Sequence, residues 1–290
     1  MNGRTVNDSR RSLAIVTGAS RGLGQLITRE LAAAGTDVLM VGRDGEALAR
    51  AAAAINGPGK GHPLVCELES RNAGEIIVAA ADTLGGASIL VNNAAIQGPV
   101  GPAWTVDLAE FERTIHVDLL APIALCHAVL PGMIARRAGW IVNISGGGAT
   151  APRPLFSAYG TAKVALVRFG ETLAAEAAAH GVRVNSIAPG AFSSGMTQKV
   201  AAAGDSAGAK EKEAAQRLLA QGDDSAARKA AKLVAYLVLG AGRDVTGKLI
   251  SAVWDPWFEM HARWDQLRES DIYTLRRIVP SDRSQTWDKK

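Results

Sequence analysis

Short runs of apolar residues alternate along most of this chain with longer stretches in which apolar and polar residues recur at helical spacing. A continuous apolar run that ends at glycine or at a polar turn is typical of a strand buried on both faces. Such runs predict seven strands, at 13–17, 37–41, 63–68, 88–92, 140–145, 182–187 and 248–253. Because the stretches between them have the length of helices, the pattern predicts an α/β fold with a doubly wound parallel sheet.

Two stretches depart from this regular repeat. The fourth helical region runs from about 107 to 137 and contains Pro122 and Pro131, which predict kinks because proline cannot donate a backbone hydrogen bond. Residues 193–222 are rich in Ala, Gly and Lys, and we interpret them as a mobile helical flap. We call this segment the flap.

The repeat is continuous enough to predict one domain over residues 13–255, preceded by a flexible tail at 1–12. Residues 256–290 form a C-terminal extension with a different composition. They contain three of the six tryptophans, namely Trp257, Trp264 and Trp287. We expect this extension to be ordered, partly helical and packed on the domain or on a neighbouring subunit.

The composition is that of an ordinary globular protein, with 48% hydrophobic residues, 21% charged residues and a net charge of +4. Basic residues are scattered among acids, which argues against a nucleic-acid partner. No apolar stretch reaches the length of a bilayer span and the N-terminus lacks an apolar signal core, so we expect a cytoplasmic protein without a membrane partner. Cys66 and Cys126 are far apart and without metal-ligand neighbours, which predicts reduced thiols and no metal site.

Tyr159 and Lys163 are separated by four residues in a predicted helix that ends near His180, so both side chains lie on one face. A tyrosine hydroxyl has an ordinary pKa of about 10, and a nearby ammonium lowers that pKa by favouring the phenolate. Such a tyrosine can exchange a proton with a substrate oxygen. Alone, the spacing also fits a helix with an amphipathic Tyr and a solvated Lys.

A glycine-rich loop follows the first predicted strand, where an α/β sheet binds the phosphates of a dinucleotide. Gly18 permits the turn, Gly22 lets backbone approach a pyrophosphate, and Gly24 lets the next helix approach the strand. The free N–H groups at the start of that helix attract anions. The alternative is a tight turn without a ligand.

The end of the second strand indicates which dinucleotide binds. A carboxylate there would bind the ribose hydroxyls of NAD, but the chain has Gly42, then Arg43, with Arg21 in the glycine loop. Two guanidinium groups suit the 2′-phosphate of NADP(H), which we therefore expect in preference to NAD(H). The alternative is that Arg43 caps a helix or faces solvent.

Four segments occur in the order, and near the spacing, that are typical of the short-chain dehydrogenase/reductase family. They are Thr17–Gly24, Asn92–Ala95, Tyr159 with Lys163, and Pro189–Gly190. The chain resembles this family over about residues 13–255, and the resemblance implies a Rossmann-like fold and an NAD(P)-dependent enzyme that acts on CH–OH groups.

The resemblance also implies roles for individual residues. Tyr159 would be the acid in carbonyl reduction and the base in the reverse direction, while Lys163 would lower the Tyr pKa and hold the nicotinamide ribose. The residues that would bind the cofactor are Gly18, Ser20, Arg21, Gly22, Leu23, Gly24, Arg43, Glu67, Asn92, Ala94, Tyr159, Lys163, Pro189, Gly190 and Ser194.

Three positions depart from the family pattern. Asp118 stands where the family has a catalytic Asn, and it is expected either to pair with Lys163 or to be neutral in effect. The usual serine falls on Gly146, so we expect Ser145 to donate to the substrate carbonyl if the glycine run bends the chain; otherwise Ser145 is structural. Ala95 replaces a glycine.

These observations favour an NADP(H)-dependent oxidoreductase that interconverts a ketone and a secondary alcohol by hydride transfer. The alternative is a cofactor-binding or scaffold protein of the same fold with impaired catalysis, which Asp118 and the displaced serine favour. An epimerase is a weaker interpretation, since no long substrate domain is present. The substrate is a small carbonyl or alcohol of unspecified identity, and the resemblance implies a homodimer or homotetramer.

Overall fold

A computed structural model describes residues 12–287 of the chain; the predicted tail at 1–12 lies outside this range except for Ser12. Within the described residues, seven parallel strands form one sheet in the order β3-β2-β1-β4-β5-β6-β7. The strands are β1 (Leu13–Thr17), β2 (Asp37–Gly42), β3 (Gly61–Val65), β4 (Ile89–Asn92), β5 (Gly139–Ile144), β6 (Val182–Ala188) and β7 (Leu249–Ser251). The predicted seven-stranded α/β fold is confirmed, with β3 beginning two residues earlier than expected.

Ten α-helices lie in the described part of the chain. They are α1 (Gly22–Ala33), α2 (Gly45–Ala53), α3 (Ala73–Thr83), α4 (Leu108–Ile115), α5 (Ala121–Arg136), α6 (Ser157–Ala177), α7 (Gly195–Ala202), α8 (Ala209–Gln221), α9 (Ser225–Val238) and α10 (Trp264–Leu267). Asp44 accepts a hydrogen bond from the N–H of Ala47 and so caps α2, as its position before the helix predicts.

Both faces of the sheet are covered by helices, which explains why its strands are apolar throughout. In β1, Ala14 and Val16 join a core with α1 and α9, whereas Leu13 and Ile15 join the opposite core with α3, α5 and α6. Each aliphatic side chain buried in this way contributes roughly 1.5–3 kcal/mol relative to exposure. A period-two pattern is therefore absent, because neither face meets water.

The order of the strands reverses between β1 and β4, and this reversal positions the site. Chain connections after β1 run to one side of the sheet and those after β4 run to the other, which leaves a crevice at the carboxyl ends of these two strands. The glycine loop after β1 and the segment after β4 border this crevice.

The long fourth helical region is α4 and α5 joined by one π-helical turn, His116–Leu120. Pro122 lies in the first turn of α5 and has no N–H for the carbonyl of Asp118, so the helix widens there. This turn places Asp118 in the interior, where its side chain is fully buried.

The joined helix Leu108–Arg136 does reach the length and mean hydropathy (1.8) of a membrane span, contrary to the expectation from the sequence. In the fold, 44% of that window is buried, with α5 packed against α3 and α6. A core helix of a soluble domain passes the same test, so this feature is weak evidence for a membrane.

The C-terminal extension packs on the domain at the outer edge of the sheet. The N–H of Leu249 in β7 donates to the carbonyl of Tyr273 at 2.7 Å, and Lys248 Nζ donates to the carbonyls of Ser270 (2.9 Å) and Ile272 (3.0 Å). Met260 of the extension is buried in the core with α9. The extension therefore covers a strand edge that would otherwise be open.

Candidate active site

The glycine loop is shaped so that backbone, not side chains, faces the crevice. Gly18 and Gly22 have φ values of 65° and 54°, a region that glycine adopts without strain. A Cβ atom at Gly24 would lie 2.2 Å from the carbonyl oxygen of Gly18, so only glycine lets α1 approach the loop this closely. No side chain in the described part of the chain caps the start of α1, so its first N–H groups can bind an anion.

The loop is held against the segment after β4 by Thr17 and Asn93. Thr17 Oγ1 accepts from the N–H groups of Asn93 and Ala94, both at 3.0 Å, and Asn93 Nδ2 donates to the carbonyl of Thr17 at 2.8 Å. Sequence reasoning did not single out the roles of Thr17 and Asn93, although both lie in its quoted segments. Their hydrogen bonds fix the distance between the two walls of the crevice.

Asn92 is turned away from the crevice. Its side chain is 3% exposed and its Nδ2 donates to Asn143 Oδ1 of β5 at 2.9 Å. The side chain therefore ties β4 to β5 inside the protein, and a role in cofactor binding stays a prediction.

Tyr159, Lys163 and Asp118 come together at the start of α6. Lys163 Nζ lies 5.4 Å from the centre of the Tyr159 ring and 3.3 Å from Asp118 Oδ2, and it donates to the carbonyl of Ile144 at 3.3 Å. The other carboxylate oxygen of Asp118 accepts from the N–H of Ile96 at 2.8 Å. The predicted pairing of Asp118 with Lys163 is present, and both side chains are buried.

The pKa of the Tyr159 hydroxyl is raised above its ordinary value, contrary to the sequence expectation. Burial raises this pKa most, the Lys163 ammonium lowers it, the Asp118 carboxylate raises it, and the Arg153 guanidinium lowers it. The effect of Lys163 thus has the expected sign, but burial outweighs it. Burial likewise raises the pKa of Asp118, while Lys163 and the N–H of Ile96 lower it.

The far end of the crevice carries Arg43 and Glu67 at the ends of β2 and β3. Arg43 Nη1 lies 4.0 Å from Glu67 Oε1, and both side chains are about half exposed. Arg21, also exposed, is the last residue before α1. Gly42 ends β2 in the position of a ribose-binding carboxylate, and no acid replaces it there.

The segment after β6 lies against the residues that follow β7. Gly190 has a φ of 81°, and a Cβ atom there would lie 2.6 Å from Val253, just after β7. Ser194 Oγ accepts from the N–H of Thr197 at 3.2 Å and so caps α7. A contact of Ser194 with a nicotinamide carboxamide stays a prediction.

Comparison with known proteins decides the family. A family model described as short chain dehydrogenase matches residues 12–205. The chain belongs to the short-chain dehydrogenase family. Its Rossmann-like sheet is the fold of solved relatives, including an NAD+-bound xylitol dehydrogenase (TM-score 0.74, 26% identity, covering 83% of this chain and 97% of the other).

The similar proteins differ in what their names say of cofactor and substrate. The chain is 36% identical over 180 residues to human dehydrogenase/reductase SDR family member 4, covering 61% of this chain and 65% of the relative, and so spans less than two thirds of that relative's length. It is 32% identical over 190 residues to zebrafish (Danio rerio) 17-beta-hydroxysteroid dehydrogenase type 3, covering 63% and 62%. It also resembles a putative NAD(P)-dependent gluconate 5-dehydrogenase from Beutenbergia cavernae with bound NADP (TM-score 0.72, 26% identity, 84% and 95%).

Gly146 and Tyr159 are in close contact at the site. A Cβ atom at Gly146 would lie 2.3 Å from the Tyr159 hydroxyl oxygen, so the tyrosine side chain fills the space that a side chain there would need. Ser145 is 2% exposed, and its hydroxyl has no hydrogen-bond partner in the described part of the chain. The role of Ser145 as carbonyl donor stays a prediction.

Within residues 12–287, no cluster of three or more His, Cys, Asp or Glu side chains could hold a metal ion. The arrangement of Tyr159, Lys163 and Asp118 makes proton transfer at Tyr159 the candidate chemistry. Two contributors escaped sequence reasoning. Arg153 was not placed near Tyr159 by any sequence motif, and Ile96 orients Asp118 through its backbone, which no sequence pattern reveals.

Proposed function

We propose that this protein is an NADP(H)-dependent oxidoreductase that interconverts a ketone and a secondary alcohol, with Tyr159 as the acid/base. The observation that carries the proposal is the buried arrangement of Tyr159, Lys163 and Asp118 beside the glycine loop. A tyrosine kept neutral by burial can donate a proton to a carbonyl oxygen.

The residues of the crevice fit a dinucleotide. The start of α1 has free N–H groups that suit a pyrophosphate. Because position 24 is a glycine, α1 can lie close to the glycine loop that would hold the pyrophosphate. A bound nicotinamide supplies the hydride. Tyr159 then holds the proton for the substrate oxygen, and Lys163 stabilises the phenolate left behind, with Asp118 and the carbonyl of Ile144 fixing the position of its ammonium.

The preference for NADP(H) rests on charge. Arg21 and Arg43 are exposed near the end of β2, which lacks a carboxylate, and a guanidinium forms charge-assisted hydrogen bonds with a phosphate. Glu67 lies beside Arg43 and opposes this preference, but it is exposed and can turn away from a bound phosphate.

A second candidate function is cofactor binding with little or no turnover. Gly146 favours it, because this position carries no hydroxyl to polarise a carbonyl and the neighbouring Ser145 is buried. Against it, the tyrosine and lysine are both present and correctly spaced on α6.

The two candidates are separated by measuring cofactor binding and turnover on the same protein. NADPH and NADH binding are measured by fluorescence titration, and oxidation of each is followed with a panel of polyol-derived, sugar-acid, steroid and simple aliphatic ketones. Turnover of at least one ketone, faster with NADPH, supports the oxidoreductase. Tight NADPH binding without turnover of any ketone supports the second candidate.

A further inference from the structure

Arg153 joins the flap to the segment that leads into α6. Its guanidinium forms a two-point ion pair with Glu211 of α8, with Nη2 to Oε2 at 2.7 Å and Nε to Oε1 at 3.2 Å. A bidentate pair fixes orientation as well as distance. Both side chains are partly buried, with exposed fractions of 21% and 37%, so water screens the pair less than a pair on the open surface.

The described residues show two further attachments of the flap. Val200, Ala207 and Ala215 of the flap pack with Phe156, which is fully buried. The base of the flap is closed by a hydrogen bond from the N–H of Ser193 to the carbonyl of Asp223 at 3.1 Å. The flap is thus held at its base, by one small apolar cluster and by the Arg153–Glu211 pair.

The same guanidinium also faces the reacting tyrosine. Arg153 Cζ lies 3.9 Å from the centre of the Phe156 ring and 6.0 Å from the centre of the Tyr159 ring. The other charged groups that act on the Tyr159 hydroxyl are Lys163 of α6 and Asp118 of the π-helical turn. Lys163 and Asp118 are buried and paired with each other. Of the three charged groups, Arg153 is therefore the one whose position a movement of the flap would change.

We infer that Arg153 is a positioning residue through which α8 of the flap controls both the closure of the site and the proton affinity of Tyr159. When the flap is closed, Glu211 holds the guanidinium beside Phe156 and partly neutralises it. When the flap opens, the guanidinium loses this partner. The inference rests on the proposed function for its effect on turnover, but not for its effect on the flap.

Two single variants that both break the pair test this inference, because they change the charge near Tyr159 in opposite directions. Arg153→Gln removes a cation and Glu211→Gln removes the anion that offsets it. Hydrogen–deuterium exchange on the full chain without ligand should show α8 exchanging roughly threefold faster in both variants. Lys212→Gln is the matched control, since it removes the neighbouring flap pair Lys212–Asp205 (3.1 Å), which does not contact Arg153.

The pH dependence of alcohol oxidation gives the second readout, measured with NADP+ and the alcohol corresponding to the best ketone of the panel. The limb of the pH–rate profile that reports deprotonation of Tyr159 should move to higher pH in Arg153→Gln, because a cation is lost, and to lower pH in Glu211→Gln, because an anion is lost. It should not move in Lys212→Gln. Unchanged exchange in α8, or shifts of the same sign in both variants, would overturn the inference. Absence of turnover in the unaltered protein would overturn the proposed function instead, and the exchange experiment would still test whether the Arg153–Glu211 pair holds the flap.

Discussion

The hydroxyl of Tyr159 occupies the space that a side chain at position 146 would need. The distance of 2.3 Å from an added Cβ to that oxygen is far below van der Waals contact, so glycine at 146 and tyrosine at 159 depend on each other. The position that carries a serine hydroxyl in the family pattern is therefore closed here by the tyrosine itself.

Gly146→Ala is expected to displace the Tyr159 hydroxyl and to lower kcat/KM for ketone reduction by about tenfold or more, because a displacement of about 1 Å can cost 10²-fold. NADPH binding should change little. Gly147→Ala is the matched control, since its added methyl group meets only Arg153 Cδ at 3.8 Å and should leave the rate nearly unchanged. Equal rates for Gly146→Ala and the unaltered protein would show that Tyr159 does not need its present position.

Asp118→Asn should favour the Tyr159 phenolate, because the Asp118 carboxylate raises the pKa of that hydroxyl. The alkaline limb of reduction, which reflects loss of the Tyr159 proton, should then move to lower pH. In the unaltered protein the raised pKa should keep kcat/KM flat through neutral pH and reduce it only above about pH 10, the ordinary tyrosine value.

The same substitution should also destabilise the fold, since it leaves the buried Lys163 ammonium without its counter-charge. Breaking a buried pair in this way costs about 3–5 kcal/mol, and the loss is measured by urea unfolding. An unchanged unfolding midpoint together with an unchanged pH profile would contradict the ion pair described here.

Arg43→Ala should weaken NADPH binding about tenfold and leave NADH binding nearly unchanged, because a charge-assisted hydrogen bond contributes about 1.5–3 kcal/mol. Fluorescence titration with both cofactors measures the two affinities. Arg50→Ala on α2, which removes an exposed pair with Glu46, is the control. If both cofactors lost affinity equally, Arg43 would not distinguish the 2′-phosphate.

Lys248→Met should loosen the C-terminal extension, because the carbonyls of Ser270 and Ile272 would lose their donor. A hydrogen bond from a charged donor contributes about 1.5–3 kcal/mol, so losing these bonds should lower Tm and speed proteolytic cleavage between 268 and 276. Lys232→Met, at an exposed position of α9, is the control. Cleavage at the original rate would mean that the Leu249–Tyr273 hydrogen bond and the burial of Met260 hold the extension without Lys248.

The sheet, its helices and the family could be predicted because buried parallel strands and glycine loops leave local patterns in sequence. The pairing of Asp118 with Lys163 was one of two alternatives that the sequence left open, and the structure shows the pair. The raised pKa of Tyr159 was not predicted. It follows from the burial of the hydroxyl, which depends on how β5, α6 and the flap pack and leaves no local pattern in the sequence. The turned-in side chain of Asn92 and the contact of Gly146 with Tyr159 likewise depend on backbone geometry.

The most direct test of the account is turnover by Tyr159→Phe. The substitution removes only the hydroxyl, and Phe fits the same space, so NADPH affinity and Tm should stay close to those of the unaltered protein. We predict that ketone reduction falls by roughly 10²-fold or more, the contribution expected of a general acid. Reduction at the original rate by a folded, NADPH-binding Tyr159→Phe variant would contradict the assignment of Tyr159 as the proton carrier.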